Sequence, residues 1–129
     1  MQPTIRELLH DAGRRLKNAG CDAPRLDAEL LLMHVWSIDR TDLIIRSGDA
    51  VPESVETSFR DLVERRCCRE PLAYILGEKE FWSRSFQVTA DVLIPRPETE
   101  HLIDAVLQLF PDKNGHYHFC DIGTGSGCI

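Results

Sequence analysis

Long apolar runs are missing from this sequence. The stretches that come nearest are only a few residues, as in Leu30-Leu31-Leu32-Met33, far short of the ~20 residues of a membrane span. The opening segment, MQPTIRELLHDAGRR, meets acids and arginines within its first turns, so it has no unbroken apolar core of the kind an export signal needs. No membrane partner is expected, and the cytoplasm is the expected compartment. The cysteines Cys21, Cys67, Cys68, Cys120 and Cys128 are odd in number and contain no C-x-x-C pair, which leaves no zinc or redox framework and makes buried thiols the simpler expectation. His116, His118 and Cys120 share one face of an extended segment, yet no fourth ligand accompanies them and no metal site is expected. Positive charge is also in deficit. A net charge of −6 argues against direct nucleic-acid binding through phosphates and leaves a protein partner open.

What is present is helical periodicity over the first seventy residues. Thr4-Ile5-Arg6-Glu7 has the form of a capping box, in which hydroxyl and carboxylate each satisfy an orphan backbone donor. Ile5, Leu8, Leu9, Ala12 and Leu16 follow on one helical face, and Gly20 supplies a stop. A second helix is expected from Pro24, with Leu26, Leu30, Leu31 and Val35 facing inward. A short one is expected over Thr41–Arg46, and a long one from Pro52 to Arg69 with Val55, Phe59, Leu62, Val63 and Cys67 as its stripe. A last helical turn at Leu72–Leu76 ends at Gly77.

The pattern then changes. The segments EKEFW, SFQVT and VLIP are short, β-branched or aromatic, and parted by polar residues, which predicts a hairpin or small meander over 78–95. RPETEHLIDAVLQLF returns to helix, with Leu102, Ile103, Val106, Leu107 and Phe110 as the expected buried face. PDKNG is a loop by composition. HYHFCDIG then reads as a strand, Tyr117 to Asp121, running into glycines, the usual entrance to an α/β domain. A strand without neighbours is expected to be loosely held.

Asp121-Ile122-Gly123-Thr124-Gly125-Ser126-Gly127 can be tested against two nucleotide loops by counting. A P-loop from Gly123 needs Gly-Lys where Cys128 and Ile129 stand, and a dinucleotide fingerprint needs Gly or Ala at Cys128. Both fail. The remaining pattern, acid-x-Gly-x-Gly-x-Gly after a strand, resembles the first motif of Rossmann-like methyltransferases that use S-adenosyl-L-methionine. The resemblance implies a cofactor loop of Asp121, Gly123, Thr124, Gly125, Ser126 and Gly127, with the Asp121 carboxylate facing the cationic methionine end.

Three further stretches, RLDAELLL (Arg25–Leu32), REPLAYILGEKEFW (Arg69–Trp82) and VLIPRPETE (Val92–Glu100), together with DIGTGSG, resemble the HemK-type (PrmC) glutamine methyltransferases. These modify the glutamine of the Gly-Gly-Gln motif of peptide chain release factors. The resemblance covers nearly the whole chain. It implies a helical release-factor-binding domain (1–77), a β-hairpin linker (78–95) and the start of an α/β methyltransferase domain (96–129). The fold class expected is thus a mainly α bundle and hairpin followed by the first helix and strand of a Rossmann-like domain. Leu93, Pro95, Arg96, Pro97 and Glu98 match a segment lying near cofactor and substrate, although Arg96 also suits a linker residue and the two prolines a rigid turn.

One family feature is absent. The Asn-Pro-Pro-Tyr loop that places the target amide does not occur, so no catalytic residue is assigned and the chain is expected to be an inactive N-terminal part of a complete enzyme. Two other functions fit the sequence: a non-catalytic protein-binding helical module, and a Rossmann-like methyltransferase acting on another protein or on nucleic acid.

Overall fold

The computed structural model describes residues 1–129, which divide into two compact units, Met1–Leu76 and Gly77–Ile129. Five helices build the first: α1 (Ile5–Asn18), α2 (Pro24–Trp36), α3 (Arg40–Ile45), α4 (Glu53–Cys67) and α5 (Leu72–Leu76). The second holds an antiparallel hairpin, β1 (Glu78–Phe81) and β2 (Arg84–Gln87), then a 3-10 turn at Pro97–Thr99 and α6 (Glu100–Leu109).

The capping box opens α1 as its residue types require. Thr4 Oγ1 accepts from the Glu7 amide at 3.3 Å, and the Glu7 carboxylate accepts from the Thr4 amide at 2.9 Å. The Thr4 amide, together with the Thr4 hydroxyl that donates to the same carboxylate at 2.9 Å, holds the Glu7 carboxyl below its ordinary value. A backbone strap supports the same end, with the Ile5 amide donating to Asp49 O and the Val51 amide to Pro3 O. Behind the cap, Ile5, Leu8, Ala12 and Leu16 are buried against Leu31, Leu32, Phe59 and Val63 from α2 and α4. Each large side chain buried this way contributes about 1.5–3 kcal/mol, so the α1–α2–α4 core carries the stability of this unit.

The second helix departs from expectation. Leu26 is exposed, Leu30 and Val35 are half-buried, and Asp27, Ala28 and Glu29 are buried beside Leu31 and Leu32. Both acids are paired. Asp27 accepts from Arg66 Nε at 2.8 Å, linking α2 to the end of α4, and Arg66 Nη1 donates onward to Glu70 O. Glu29 sits between Arg25 and Arg40, each at 3.2 Å, which links α2 to the start of α3. Arg15 of α1 pairs with Glu64 of α4. Arg69 donates to the Ala19 and Gly20 carbonyls past the end of α1, where Gly20 takes φ +79°.

In the second unit the hairpin register, Phe81 opposite Arg84, leaves a two-residue turn at Trp82–Ser83. Both turn residues have positive φ, 51° and 55°, as the right-handed twist of the strands demands. The Trp82 amide donates to Glu100 Oε1 at 2.8 Å. Of the hairpin and the meander expected here the hairpin is found: the strands end at Gln87 and VLIP adds no third strand. Two expectations for this region are corrected. No residue of α6 is buried; Leu102 and Leu107 are exposed and Ile103 and Val106 half-buried. Tyr117–Asp121 forms no strand, because the sheet consists of β1 and β2 alone and a strand needs a neighbour for its backbone groups. Tyr117 and Phe119 instead make edge contacts with Phe110, centroids 5.1 and 5.4 Å away.

Candidate functional site

The glycine loop has a backbone reason for its composition. Gly123, Gly125 and Gly127 take φ of +79°, +56° and +76°, a region that side-chain-bearing residues adopt at a cost of roughly 1–2 kcal/mol each. The requirement is conformational, not steric, since nothing lies within 4 Å of a Cβ built at Gly123 or Gly127. The Gly127 amide donates to Thr124 O at 2.9 Å, closing a turn. Backbone in which left-handed residues alternate with right-handed ones can form an anion-binding concavity. Asp121 and Thr124 are exposed and Ser126 half-buried. Residues 121–129 are held in turns and bends.

Pro95 is buried, whereas Leu93, Arg96, Pro97 and Glu98 are exposed. The Arg96 carbonyl accepts from the Thr99 amide, starting the 3-10 turn, with Pro97 at a position where a missing amide costs nothing. None of Leu93, Pro95, Arg96, Pro97 and Glu98 hydrogen-bonds the glycine loop. The residue that sequence reasoning missed here is Glu100, whose carboxylate reaches the Trp82 amide across eighteen residues. The acid-rich string PETE was the available signal, but it names no partner.

No cluster of three or more His, Cys, Asp or Glu side chains could hold a metal ion, and His116, His118 and Cys120 are exposed without converging. Burial pushes the Cys67 thiol up, away from nucleophilic reactivity. No helix is long and apolar enough to cross a membrane.

The profile of the PrmC N-terminal domain family matches residues 7–77, more than half of the chain and all of the five-helix unit save its first turn. The chain belongs to that family. Among curated proteins, a release factor glutamine methyltransferase of Nitratidesulfovibrio vulgaris is 49% identical over 98% of this chain and 42% of its own length. Its counterpart in Koribacter versatilis is 43% identical over 98% of the chain and 45% of its length. A bifunctional methyltransferase of Rickettsia typhi is 39% identical over the whole chain and 28% of its length. The chain therefore spans under half the length of the curated relatives it matches. Within the PrmC N-terminal domain, RLDAELLL now has a structural meaning: its acids are the buried α2 anchors for Arg66 and Arg40.

Proposed function

We propose that this chain is the N-terminal part of a methyltransferase that uses S-adenosyl-L-methionine to methylate the side-chain amide of the Gly-Gly-Gln glutamine in peptide chain release factors, in the cytoplasm. The observation that carries the proposal is the 49% identity, over 98% of the chain, to a protein named release factor glutamine methyltransferase. The glycine loop supports the cofactor: its main chain is open where a ligand would approach, and its glycines hold left-handed geometry.

The donor supplies a methyl group made electrophilic by a positively charged sulfur. The chain's own contribution is to hold it. The amides around Gly123, Gly125 and Gly127 suit the carboxylate of an amino-acid end, and the Asp121 carboxylate attracts its cationic part. An amide nitrogen is a weak nucleophile because its lone pair is delocalised, so it must be held in line while acceptors take its N–H groups. No residue of this chain is assigned that task. The proposed domain division follows: a release-factor-binding helical domain over 1–77, a linker over 78–95, and the first part of the methyltransferase domain over 96–129.

The test is methyl transfer from labelled S-adenosyl-L-methionine to purified release factor, using the protein at the length of its curated relatives. Label on the Gly-Gly-Gln glutamine is the expected result. Label on a different residue, on another protein or on RNA would overturn it.

A further inference from the structure

Between α1, α2 and α3 lies a groove of about 730 Å³. Its floor is apolar, with Ile5, Leu9, Leu43 and Ile44, and Ile44 is 70% exposed. Its lining holds five cationic side chains, Arg6, Arg14, Lys17, Arg25 and Arg40, against one carboxylate, Glu29. Arg25 and Arg40 share that carboxylate, so one positive charge there is uncompensated. Arg14 is paired only with Asp11, a neighbour on its own helix.

The fold accounts for the other cations of residues 1–76. Arg15, Arg46, Arg60, Arg65 and Arg66 are ion-paired, and Arg69 donates to the Ala19 and Gly20 carbonyls. Two remain without a carboxylate or carbonyl partner, Arg6 and Lys17, and both line the groove. Arg6 touches only the Ser47 hydroxyl, at 3.4 Å. In a chain of net charge −6, the positive charge that the helical unit does not use is thus concentrated at one apolar cleft. A phosphate backbone is a poor match for that floor, because no Phe, Tyr or Trp lines the groove and the His10 imidazole is the single ring there on which a base could stack. An acidic peptide segment with one or two aliphatic side chains matches both the rim and the floor.

We propose that this groove is the docking site for an acidic, aliphatic-bearing segment of the release factor, separate from the loop that holds the methyl donor. The inference rests on the proposed function for the identity of the partner. Charge at the rim steers and orients the segment, while Ile44 and Leu9 receive its apolar side chains.

The test measures binding of the 129-residue chain to fluorescently labelled release factor by anisotropy. The wild type is expected to bind, and more weakly as salt rises. The double variant Arg6→Glu/Lys17→Glu should weaken binding by at least about tenfold. Ile44→Ser, with an exposed side chain whose loss spares the core, should weaken it with little change in salt dependence. Arg84→Glu on β2, outside the groove, should leave it unchanged. Melting by circular dichroism checks that each variant is folded. If the wild type binds and the groove variants bind as well as it does, the groove is overturned and the proposed function stands. Failure of the wild type to bind, or preferential binding of a single-stranded RNA lost in the same variants, also overturns the groove. Methyl transfer at the length of the relatives decides the proposed function separately.

Discussion

Replacing Arg66 with methionine keeps much of the aliphatic stem and removes the charge that faces Asp27. The Asp27 side chain is 8% exposed and that of Arg66 18% exposed, with Nε 2.8 Å from the carboxylate. Breaking a fully buried pair from one side costs about 3–5 kcal/mol, because a buried charge is left without its partner. Partial access of water at Arg66 and the loss of only one other bond, to Glu70 O at 3.0 Å, lower the expectation to about 2–4 kcal/mol. Stabilities run near ~0.05–0.15 kcal/mol per residue, so a unit the size of Met1–Leu76 has roughly 4–11 kcal/mol in all. The loss is therefore a large fraction of the total, equal to a fall in Tm of about 10–25 °C. Urea unfolding followed by far-ultraviolet circular dichroism reads it. The decisive comparison is the double variant Asp27→Leu/Arg66→Met, which removes both charges and should recover at least half of the loss. A single variant within about 0.5 kcal/mol of wild type, or a double variant no more stable than Arg66→Met, would refute the view that Asp27 is an anchor needing a cation.

Thr4→Ala removes the hydroxyl half of the capping box and should cost about 1 kcal/mol in the same assay. The Glu7 and Glu70 carboxyls both lie below their ordinary value of 4.5, held there by Thr4 and by Arg65 respectively. Their contribution is therefore full above that value and is lost as pH falls through the lowered ones, and Glu7→Gln with Glu70→Gln should flatten the acid side of the stability profile. Ser83→Gly relieves a left-handed residue at φ 55°; the gain of roughly 1–2 kcal/mol is offset by glycine's freedom in the unfolded chain, leaving about 0–1 kcal/mol of stabilisation of the hairpin, read by amide exchange. Because burial raises the Cys67 thiol, iodoacetamide at neutral pH should alkylate exposed Cys68 faster than Cys67, checked by peptide mass mapping.

The helical unit was legible where local chemistry decides structure. Thr4 with Glu7, Pro24 at a first turn and Gly77 after a short apolar helix each mark a boundary that the backbone obeys. Periodicity failed on α2 because it assigns acids to water, whereas Asp27 is buried against Arg66 of α4 and Glu29 against Arg40 of α3 as well as Arg25 of its own helix. Their partners lie up to 39 residues away, and no local pattern encodes such a pairing. The apolar stripe of α6 is legible in the sequence but is not buried, because a stripe states which side seeks a partner and not that one is in place. The same reasoning applies to Tyr117–Asp121: β-propensity expresses fit to a pleated surface, and among these residues no such surface adjoins it. The glycine loop was legible in composition, and the positive φ at Gly123, Gly125 and Gly127 supplies the cause. Its ligand is proposed on family grounds.

Two stretches that read as separate motifs, GEKEFW and RPETE, meet in one physical unit. A two-residue turn with positive φ at both positions favours glycine or asparagine, yet Trp82 and Ser83 occupy it. Two such residues cost roughly 2–4 kcal/mol. The bond from the Trp82 amide to the Glu100 carboxylate, of the charged class worth about 1.5–3 kcal/mol when shielded, offsets part of that at this partly exposed position. The turn is thus held by a residue at the start of α6, and α6 is held in turn by the hairpin. That mutual dependence explains why an acid is needed at the fourth residue after Arg96 and why the intervening Pro97 and the 3-10 turn matter: they set the carboxylate at the distance the turn requires. Glu100, just past the Leu93–Glu98 segment, therefore has a structural duty within its own unit.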